Sequence, residues 1–182
     1  MCYDILTWDS KRKLSWEDFK GNVEEQIPHA AKTLLRLTFS YDSDYTERTT
    51  RTRATIKEVI VKANFNKTKS WVKKDRITNK SVSQQLLDHE QGHFDLAYEF
   101  SIYAKETLEK KFLNTSYTFV SKNKEKKEKD EQKQARKLTK QLEKDLMKKH
   151  DLMQKKYEKD TDHGKITSKQ NEYDERFAKL RK

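Results

Sequence analysis

The chain has 182 residues, of which 32% are hydrophobic, and its 41 Lys and Arg side chains outnumber 30 Asp and Glu side chains. This length and apolar content suit one domain of ordinary size and exclude a large second hydrophobic core. Because it has three glycines and one proline, a turn-rich barrel, a collagen-like repeat or a flexible linker is excluded, and long helices are favoured.

The formal net charge of +11 indicates an anionic partner only if the charge is concentrated on one surface. Residues 122–160 hold 15 Lys and Arg against 9 Asp and Glu. The mixed signs, and the lack of aromatic residues in this run before Tyr157, argue against a nucleic-acid groove. No nucleic-acid partner is expected, whereas an anionic envelope surface is kept as a candidate partner.

The cellular compartment of the protein has to be inferred from its apolar segments and its one cysteine. No segment has the roughly 18 consecutive apolar residues that span a bilayer, so no transmembrane segment is expected, and the N-terminus shows no apolar leader. With one cysteine, Cys2, no intramolecular disulfide can form. Cys2 is either the acylated first residue of a mature lipoprotein or an ordinary terminal residue. We expect a periplasmic, cell-envelope or secreted protein if a leader was removed.

Residues 3–28 carry the aromatic residues Trp8, Trp16 and Phe19. They predict a first strand and a short helical turn that ends at Gly21.

Two further stretches, residues 33–41 and 54–65, are rich in β-branched and aromatic residues and predict strands. The polar residues 42–52 between them predict a loop.

Beyond Trp71 the apolar residues recur at helical spacing. Ser81, followed three residues later by Gln84, matches a capping box and predicts a helix from there to about Phe112. A short extended segment is expected at residues 116–120.

Residues 123–157 predict a long, highly charged helix with a thin apolar stripe. Residues 122–134 contain no apolar side chain, so this part is expected to project into solvent or to fray. The stripe consists of Ala135, Leu138, Leu142, Leu146, Met153 and Tyr157.

A linker over residues 160–166 leads to a last helix, at whose start Thr167 and Gln170 match a second capping box. One face of this helix carries Gln170, Tyr173, Phe177 and Leu180.

The segment from His89 to His93 has the pattern H-E-x-x-H. Four residues advance an α-helix by about 400°, so the two imidazoles lie one turn apart on the same side, where both can bind one zinc ion. Glu90 can take a proton from an attacking water and return it to the leaving amine. The pattern predicts His89 and His93 as zinc ligands and Glu90 as the catalytic base.

The alternative is that these residues decorate a charged helix or form a buried His–Glu hydrogen bond. On a helical wheel, however, Glu90 and His93 interrupt the apolar stripe of the helix, where unpaired ionisable groups are costly. This position favours metal binding.

A catalytic zinc ion usually has three protein ligands. Glu99, Glu106 and Glu109 lie too far along the same helix to reach the ion unless the helix breaks. The third ligand is therefore expected from chain that folds back.

Three histidines remain. His29, before a strand, and His150, on a charged helix face, are the weaker candidates. His163 is the preferred third ligand because it lies in a tight loop before Gly164 and the last helix. Its alternative role is an ordinary residue at a helix C-terminus, with Gly164 as the cap.

Tyr157 is a candidate donor to the oxyanion that forms during peptide hydrolysis, and its alternative role is a core residue. Gly92 is expected to let a strand or substrate backbone approach the metal. Gly164 is expected to turn the chain so that His163 faces it.

Several segments together resemble the bacterial DUF922 family of zincin-type, zinc-dependent proteases. They are Leu14–Gly21 (LSWEDFKG), Ser70–Val72 (SWV), Leu86–Tyr98 (LLDHEQGHFDLAY), Asp160–Gly164 (DTDHG) and Gln170. The resemblance implies an α+β metallopeptidase-like fold, usually exported or envelope-associated, with His89 and His93 as ligands and Glu90 as base. Tyr173 departs from the family pattern, where a tryptophan is expected, and the resemblance supplies no substrate.

The expected architecture is a single zincin-like α+β domain over residues 1–182. A small, mainly antiparallel sheet and the active-site helix occupy residues 3–121, a charged helical insertion or hairpin occupies 122–160, and a C-terminal helix in 161–182 completes the site.

The favoured function is a zinc metallopeptidase with one catalytic Zn²⁺ that cleaves peptides or proteins. Residues 54–65, leading into Trp71, are the expected edge strand for an extended substrate. The alternatives are a non-catalytic, zinc-stabilised envelope or interaction module that uses the basic helix 123–157, and another class of metal hydrolase.

Overall fold

The computed structural model describes residues 4–47, 51–121 and 126–182. Cys2, the candidate acylation site, lies outside these ranges. The described chain is an α+β protein with three α-helices and a small antiparallel sheet, so the predicted fold class is confirmed at this level.

The strands and helices have the following bounds. The strands are β1 (Ile5–Thr7), β2 (Ala31–Lys32), β3 (Leu35–Glu47), β4 (Thr52–Asn66), β5 (Trp71–Val72) and β6 (Ser116–Phe119). The helices are α1 (Lys80–Phe112), α2 (Lys127–Thr161) and α3 (Thr167–Ala178). None of the described helices is both long enough and apolar enough to cross a membrane.

The chain divides into two compact units. The first comprises the residues up to Leu37, Lys62–Phe100 and His150–Lys182, and the second comprises Thr38–Val61 and Ser101–Lys149. All residues of the candidate metal centre belong to the first unit.

In the first unit, the end of β4 pairs antiparallel with β1, and Phe65 of β4 packs against Phe94 of α1 with ring centroids 5.9 Å apart. Strands β2 and β5 form a separate two-stranded sheet in which Ala31 pairs with Val72. The predicted aromatic residues attach the N-terminal segment, since Trp8 stacks on Tyr98 of α1 at 3.5 Å.

An apolar cluster joins all three helices within the first unit. Its buried members are Leu96 of α1, Tyr157 of α2 and Phe177 of α3, with Met153, Tyr173 and Leu180 packed against them. The predicted apolar face of the last helix is therefore confirmed, and the cluster holds α2 and α3 against the H-E-x-x-H helix.

In the second unit, the start of β4 pairs antiparallel with β6, from Thr52 opposite Phe119 to Thr55 opposite Ser116. The prediction that residues 122–134 project into solvent or fray is wrong at Glu131, which is fully buried, whereas Lys129 and Lys133 are exposed. The Glu131 carboxylate accepts hydrogen bonds from the Ser43 hydroxyl at 2.9 Å and from the Tyr117 hydroxyl. Polar contacts, which an apolar pattern cannot reveal, fix this part of the helix.

Two predictions about the strands are wrong. Residues 42–47 are not a loop, since β3 continues to Glu47, and Thr52 already belongs to β4. Residues 54–65 are not an edge, because β4 lies between β1 and β3 and also pairs with β6. Polar side chains on the exposed face of a strand concealed its length.

The helix ends also differ from the predicted capping boxes. Asn79, not Ser81, caps α1: its Oδ1 accepts from the backbone N–H of Ser81 at 3.0 Å and of Val82 at 3.2 Å. For α3 the N-cap is Ile166, without a side-chain cap, and Thr167 is already helical.

The predicted stripe of α2 is wrong at one position. Leu138 is 40% exposed, whereas the neighbouring Thr139 is fully buried. The Thr139 hydroxyl satisfies its hydrogen-bonding capacity inside, donating to the Ala135 carbonyl at 3.1 Å or to the Glu143 carboxylate at 2.5 Å.

Candidate metal centre

The middle of α1 places His89, Glu90 and His93 in the interior of the first unit. They are 1%, 4% and 9% exposed, respectively. Because residues four apart in a helix share a face, the two imidazoles are neighbours, with ring centroids 4.8 Å apart. Two histidines and a carboxylate therefore occupy positions that apolar side chains normally take.

A second carboxylate, Glu158 of α2, meets both histidines. His93 Nε2 lies 2.9 Å from Glu158 Oε1, and His89 Nε2 lies 3.4 Å from Glu158 Oε2. One ligand atom from each of the three side chains falls within 4.8 Å of the others. The arrangement brings two nitrogens and a carboxylate oxygen to one point.

This donor set fits a zinc ion. Two histidines and one glutamate are an established ligand set of catalytic zinc sites, and two ligands at about 2.1 Å from one tetrahedral ion are roughly 3.4 Å apart. His89 Nε2 is buried and has no hydrogen-bond partner among the described residues. A buried nitrogen with an unused lone pair is costly unless an ion or proton completes it.

In the absence of metal, His93 and Glu158 form a charged pair and shift each other's pKa. Burial lowers the pKa of His93, but the hydrogen bond to Glu158 and the charges of Glu90 and Glu158 outweigh it, so the pKa is raised above 6.5. Burial raises the pKa of Glu158, but its contacts with His89 and His93 outweigh that effect and lower the pKa well below 4.5.

The three side chains line a cavity of about 840 Å³, together with Glu90 and His163. A small molecule or an extended peptide segment can enter such a space. Glu90 thus faces the same cavity as the candidate ligands, as a base acting on a water near the ion requires.

His163, the predicted third ligand, lies beside Glu158. Its Nδ1 is 2.7 Å from Glu158 Oε2, and 41% of its side chain is exposed. Asp162, His163 and Gly164 all have positive φ angles, of 43°, 57° and 79°. This left-handed turn after α2 directs His163 into the cavity, next to the carboxylate rather than within the three-residue cluster.

Tyr157, the predicted oxyanion donor, lies behind the histidines. It is fully buried, stacks on the His89 ring at 4.9 Å, and its hydroxyl lies 3.1 Å from the His89 carbonyl oxygen. It is not among the residues that line the cavity. Burial raises the pKa of its phenol well above the ordinary value of 10.0.

The expected role of Gly92, to let a strand or substrate approach the metal, is wrong. A Cβ atom at Gly92 would meet the Tyr157 hydroxyl oxygen at 2.0 Å, so Gly92 makes room for this phenol and not for a strand or a substrate. A Cβ atom at Gly164 would lie 3.0 Å from His89 Cβ, so this turn packs directly on the first histidine.

The two weaker histidine candidates are separated by the structure. The His29 ring lies 4.9 Å from the His163 ring and lines the cavity. His150 is buried one turn before Gln154, with its Nε2 3.1 Å from the Gln154 side-chain nitrogen. It contacts a neighbour of the histidine pair, not the pair itself.

Sequence reasoning missed Glu158 and Gln154, and it named Gln170 without foreseeing its contact with His89. Gln154 and Glu158 are four residues apart on α2 and both contact His93. A signal for Gln154 and Glu158 was available in the sequence. Gln154 stands next to Met153 and Glu158 next to Tyr157, two apolar residues that predicted the inner side of α2. Glutamates were weighed only on the H-E-x-x-H helix itself.

Comparisons with protein-family models, curated proteins and solved structures each gave no significant match to this chain.

Proposed function

We propose that the protein is a zinc-dependent metallopeptidase with a zincin-like active site. The observation that carries the proposal is the convergence of His89, His93 and Glu158 at the cavity that Glu90 also lines. The sequence resemblance to the DUF922 proteases supports the same activity, and its implied ligands and base are part of this cluster.

We assign the zinc ligands to His89 Nε2, His93 Nε2 and the Glu158 carboxylate. His163, the ligand favoured by sequence, keeps a different role in the proposal because its Nδ1 faces the Glu158 carboxylate at 2.7 Å. Ligating carboxylates are commonly held by such a partner. Bound zinc supplies Lewis acidity that makes a water nucleophilic near neutral pH.

Glu90 acts as the general base in this proposal. It takes the proton from the attacking water and later returns it to the leaving amine. The scissile C–N bond then breaks and the amine leaves as a neutral molecule. Its location in the cavity wall beside His93, whose pKa its charge raises, supports this role.

His163 is also better situated than Tyr157 to donate to the developing oxyanion. Its side chain is partly exposed and lines the cavity, whereas the Tyr157 hydroxyl is buried against the His89 carbonyl and the Gln170 carboxamide. An oxyanion donor must reach the reacting carbonyl. We therefore assign Tyr157 to support of His89.

The cavity wall indicates an extended peptide with a bulky apolar side chain. Ile27, Val82 and Leu86 line it, and Val82 is 52% exposed although it is aliphatic. Covering such side chains contributes roughly 25 cal/mol per Å² of apolar area. Strand β2, which has a partner strand on one side only among the described residues, also lines the cavity and could pair with the peptide backbone.

The test combines metal analysis with cleavage of a mixed peptide library read by mass spectrometry. The wild type should hold one zinc per chain and cleave next to apolar residues. Glu90→Gln should keep the zinc and lose cleavage by at least about 100-fold, since general base catalysis contributes that much. Glu106→Gln, an exposed position on the same helix, serves as the matched control and should match the wild type.

Ligand assignments are tested in the same assay. Glu158→Ala should lose stoichiometric zinc, whereas His163→Ala should retain it and cleave more slowly. Zinc loss in His163→Ala with retention in Glu158→Ala would restore the sequence-based ligand. A wild type without stoichiometric metal would refute the metallopeptidase.

A second function, contact with an anionic envelope surface, is favoured by the charge distribution of the second unit, in which several carboxylates are hydrogen-bonded and a row of lysines is exposed. The carboxylates of Asp130, Glu131 and Glu143 accept hydrogen bonds from Ser121, Ser43 and Tyr41, respectively. An exposed row of lysines on α2 makes no ion pair with any described residue. The row consists of Lys129, Lys133, Lys137, Lys140, Lys144 and Lys148.

This lysine row extends over about 28 Å of helix at 1.5 Å per residue. Each lysine near an anionic bilayer contributes about 1 kcal/mol of attraction. The protein should bind vesicles that contain phosphatidylglycerol, less at high salt, and not vesicles of phosphatidylcholine alone. Changing Lys133, Lys137, Lys140 and Lys144 to Gln should abolish binding but leave zinc content unchanged. Equal binding to both vesicle types would refute this function.

A further inference from the structure

Both candidate histidine ligands have a glutamine side chain at the ring nitrogen that faces away from the metal position. Gln154 Oε1 lies 2.6 Å from His93 Nδ1, and Gln170 Oε1 lies 3.3 Å from His89 Nδ1. Oxygen and nitrogen of an amide are similar in shape, so their assignment has to be argued from their other partners.

For Gln154 the partners fix the orientation. Its Nε2 lies 3.1 Å from the His93 backbone carbonyl, which can only accept a hydrogen bond. His150 Nε2 lies 3.1 Å from the same Gln154 nitrogen and can accept its second hydrogen. The NH₂ end is therefore fully used, and the oxygen must face His93 Nδ1.

For Gln170 the same reasoning holds. Its Nε2 donates to Asp174 Oδ1 at 2.8 Å and to the Tyr157 hydroxyl oxygen at 2.9 Å. The Tyr157 hydroxyl is then free to donate to the His89 carbonyl at 3.1 Å. The oxygen of Gln170 is left facing His89 Nδ1.

A carboxamide oxygen has no hydrogen to give, so each Nδ1 must carry the proton of its imidazole. In the neutral rings the lone pairs are then on Nε2. These are the two nitrogens that face Glu158, at 3.4 Å for His89 and 2.9 Å for His93. Two independent amides thus select the same tautomer, and both lone pairs point at one place.

We propose that Gln154 and Gln170 are positioning residues that hold His93 and His89 with Nδ1 protonated and Nε2 directed at a shared zinc ion. The assignment rests on the metal site of the proposed function. Residues 150, 154 and 158 are successive i, i+4 positions, so one face of α2 supplies the ligand carboxylate, the amide and the histidine that orients the amide.

The neutral charge of these partners has a chemical consequence. A carboxylate at the same place would raise the basicity of the imidazole and add negative charge near the ion. An amide orients the ring without that charge. The zinc then keeps more of its positive charge for activating water and polarising a carbonyl.

The experiment measures zinc affinity by competition with a chromophoric chelator in the full-length protein and in four variants. Gln154→Leu and Gln170→Leu remove the acceptors and should each weaken zinc binding about 10–100-fold. Gln141→Leu is the matched control on α2, where the exposed Gln141 contacts Asp145, and should leave affinity unchanged. Gln154→Glu keeps the acceptor for His93 Nδ1 but loses the donor to the His93 carbonyl, and should bind zinc more tightly than Gln154→Leu.

A long-range ¹H–¹⁵N spectrum of the imidazoles gives a readout that a merely structural role would not move. In the zinc-loaded wild type, His89 and His93 should both show a protonated Nδ1 and a zinc-bound Nε2. If Gln154→Leu does not fold, the zinc affinity of Gln154→Glu and the wild-type spectrum still test the positioning role. Zinc bound through Nδ1, or unchanged affinity in both Leu variants, would overturn the positioning role and leave the metallopeptidase standing. A wild type without zinc would overturn both.

Discussion

Gly92 lies between Glu90, the proposed base, and His93, with the Tyr157 ring directly above it. A Cβ atom there would lie 2.0 Å from the Tyr157 hydroxyl oxygen and 2.7 Å from Cζ. Tyr157 is fully buried and its hydroxyl is hydrogen-bonded on two sides, so the ring cannot simply move away. The stacking of Tyr157 on His89 depends on this missing side chain.

We predict that Gly92→Ala destabilises the protein even though alanine favours helices by about 1 kcal/mol over glycine. Overpacking of a tight interior costs roughly 1–3 kcal/mol, and a contact this short belongs at the upper end. The net loss should be about 1–2 kcal/mol in the free energy of unfolding, measured by denaturant titration. The double variant with Tyr157→Phe should recover part of the loss, because Cζ still crowds the new methyl group. An increase in stability would show that the ring has room to move.

The local part of the site was predictable and the distant part was not. His89, Glu90 and His93 share one turn of helix, so their spacing alone predicts a common face. Glu158 reaches His93 across 65 residues of chain, and among the carboxylates of α2 only its position next to the inner residue Tyr157 indicated it. His163 was preferred because a loop histidine is a conspicuous ligand, yet the carboxylate one turn earlier makes the closer contacts.

At the scale of elements, the start of α1 shows why a capping pattern can be misplaced. Asn79 Oδ1 accepts from the backbone N–H groups of Ser81 and Val82. Asparagine, aspartate and serine are about equally good N-cap residues. Both Asn79 and Ser81 were therefore chemically suitable, and the cap lies two residues earlier than predicted.

This difference makes a direct prediction. Asn79→Ala should lower the free energy of unfolding by about 1 kcal/mol, because two helix N–H groups lose their acceptor. Ser81→Ala should change it by less than about 0.5 kcal/mol, as surface substitutions usually do. Chemical denaturation of the two variants compares them directly. A larger effect at Ser81 would restore the predicted cap.

The existence and type of the helices and the fold class were predictable from periodicity, and the extent of the strands was not. Alternation of Leu37, Phe39 and Tyr41 identified β3, and these side chains are buried. Beyond Tyr41 the strand carries mainly polar side chains and still continues to Glu47. Backbone pairing there does not need an apolar pattern, so the polar end was predicted as a loop. On α2, hydrogen-bonded Glu131 and Thr139 occupy inner positions that a hydrophobicity scale assigns to solvent.

At the scale of the whole molecule, the His93–Glu158 pair links stability to pH. In the metal-free protein the raised pKa of His93 gives stability that is present below pH 6.5 and lost as pH rises through the folded-state value. The lowered pKa of Glu158 gives stability that is present above pH 4.5 and lost as pH falls through its folded-state value. The pair therefore stabilises the metal-free protein most at mildly acidic pH.

Zinc should reverse this dependence, because it needs a neutral imidazole and must displace the proton on His93. The increase in Tm caused by a fixed excess of zinc should be larger at about pH 8 than at about pH 6. Thermal unfolding with zinc and with a chelator, at both pH values, measures the difference. Glu158→Ala should remove most of the zinc effect at both. An increase in Tm that is greater at the lower pH would contradict zinc binding through His93.

The left-handed turn at Asp162, His163 and Gly164 has a consequence for the order of events during synthesis. It returns the chain so that Glu158 before the turn and Gln170 after it both contact the histidines, 65 and 81 residues from His93 and His89, respectively. A ribosome-bound chain that has released only the H-E-x-x-H helix carries the histidines without Glu158 and without either glutamine. The proposed metal site can therefore form only after the chain beyond Gln170 has emerged.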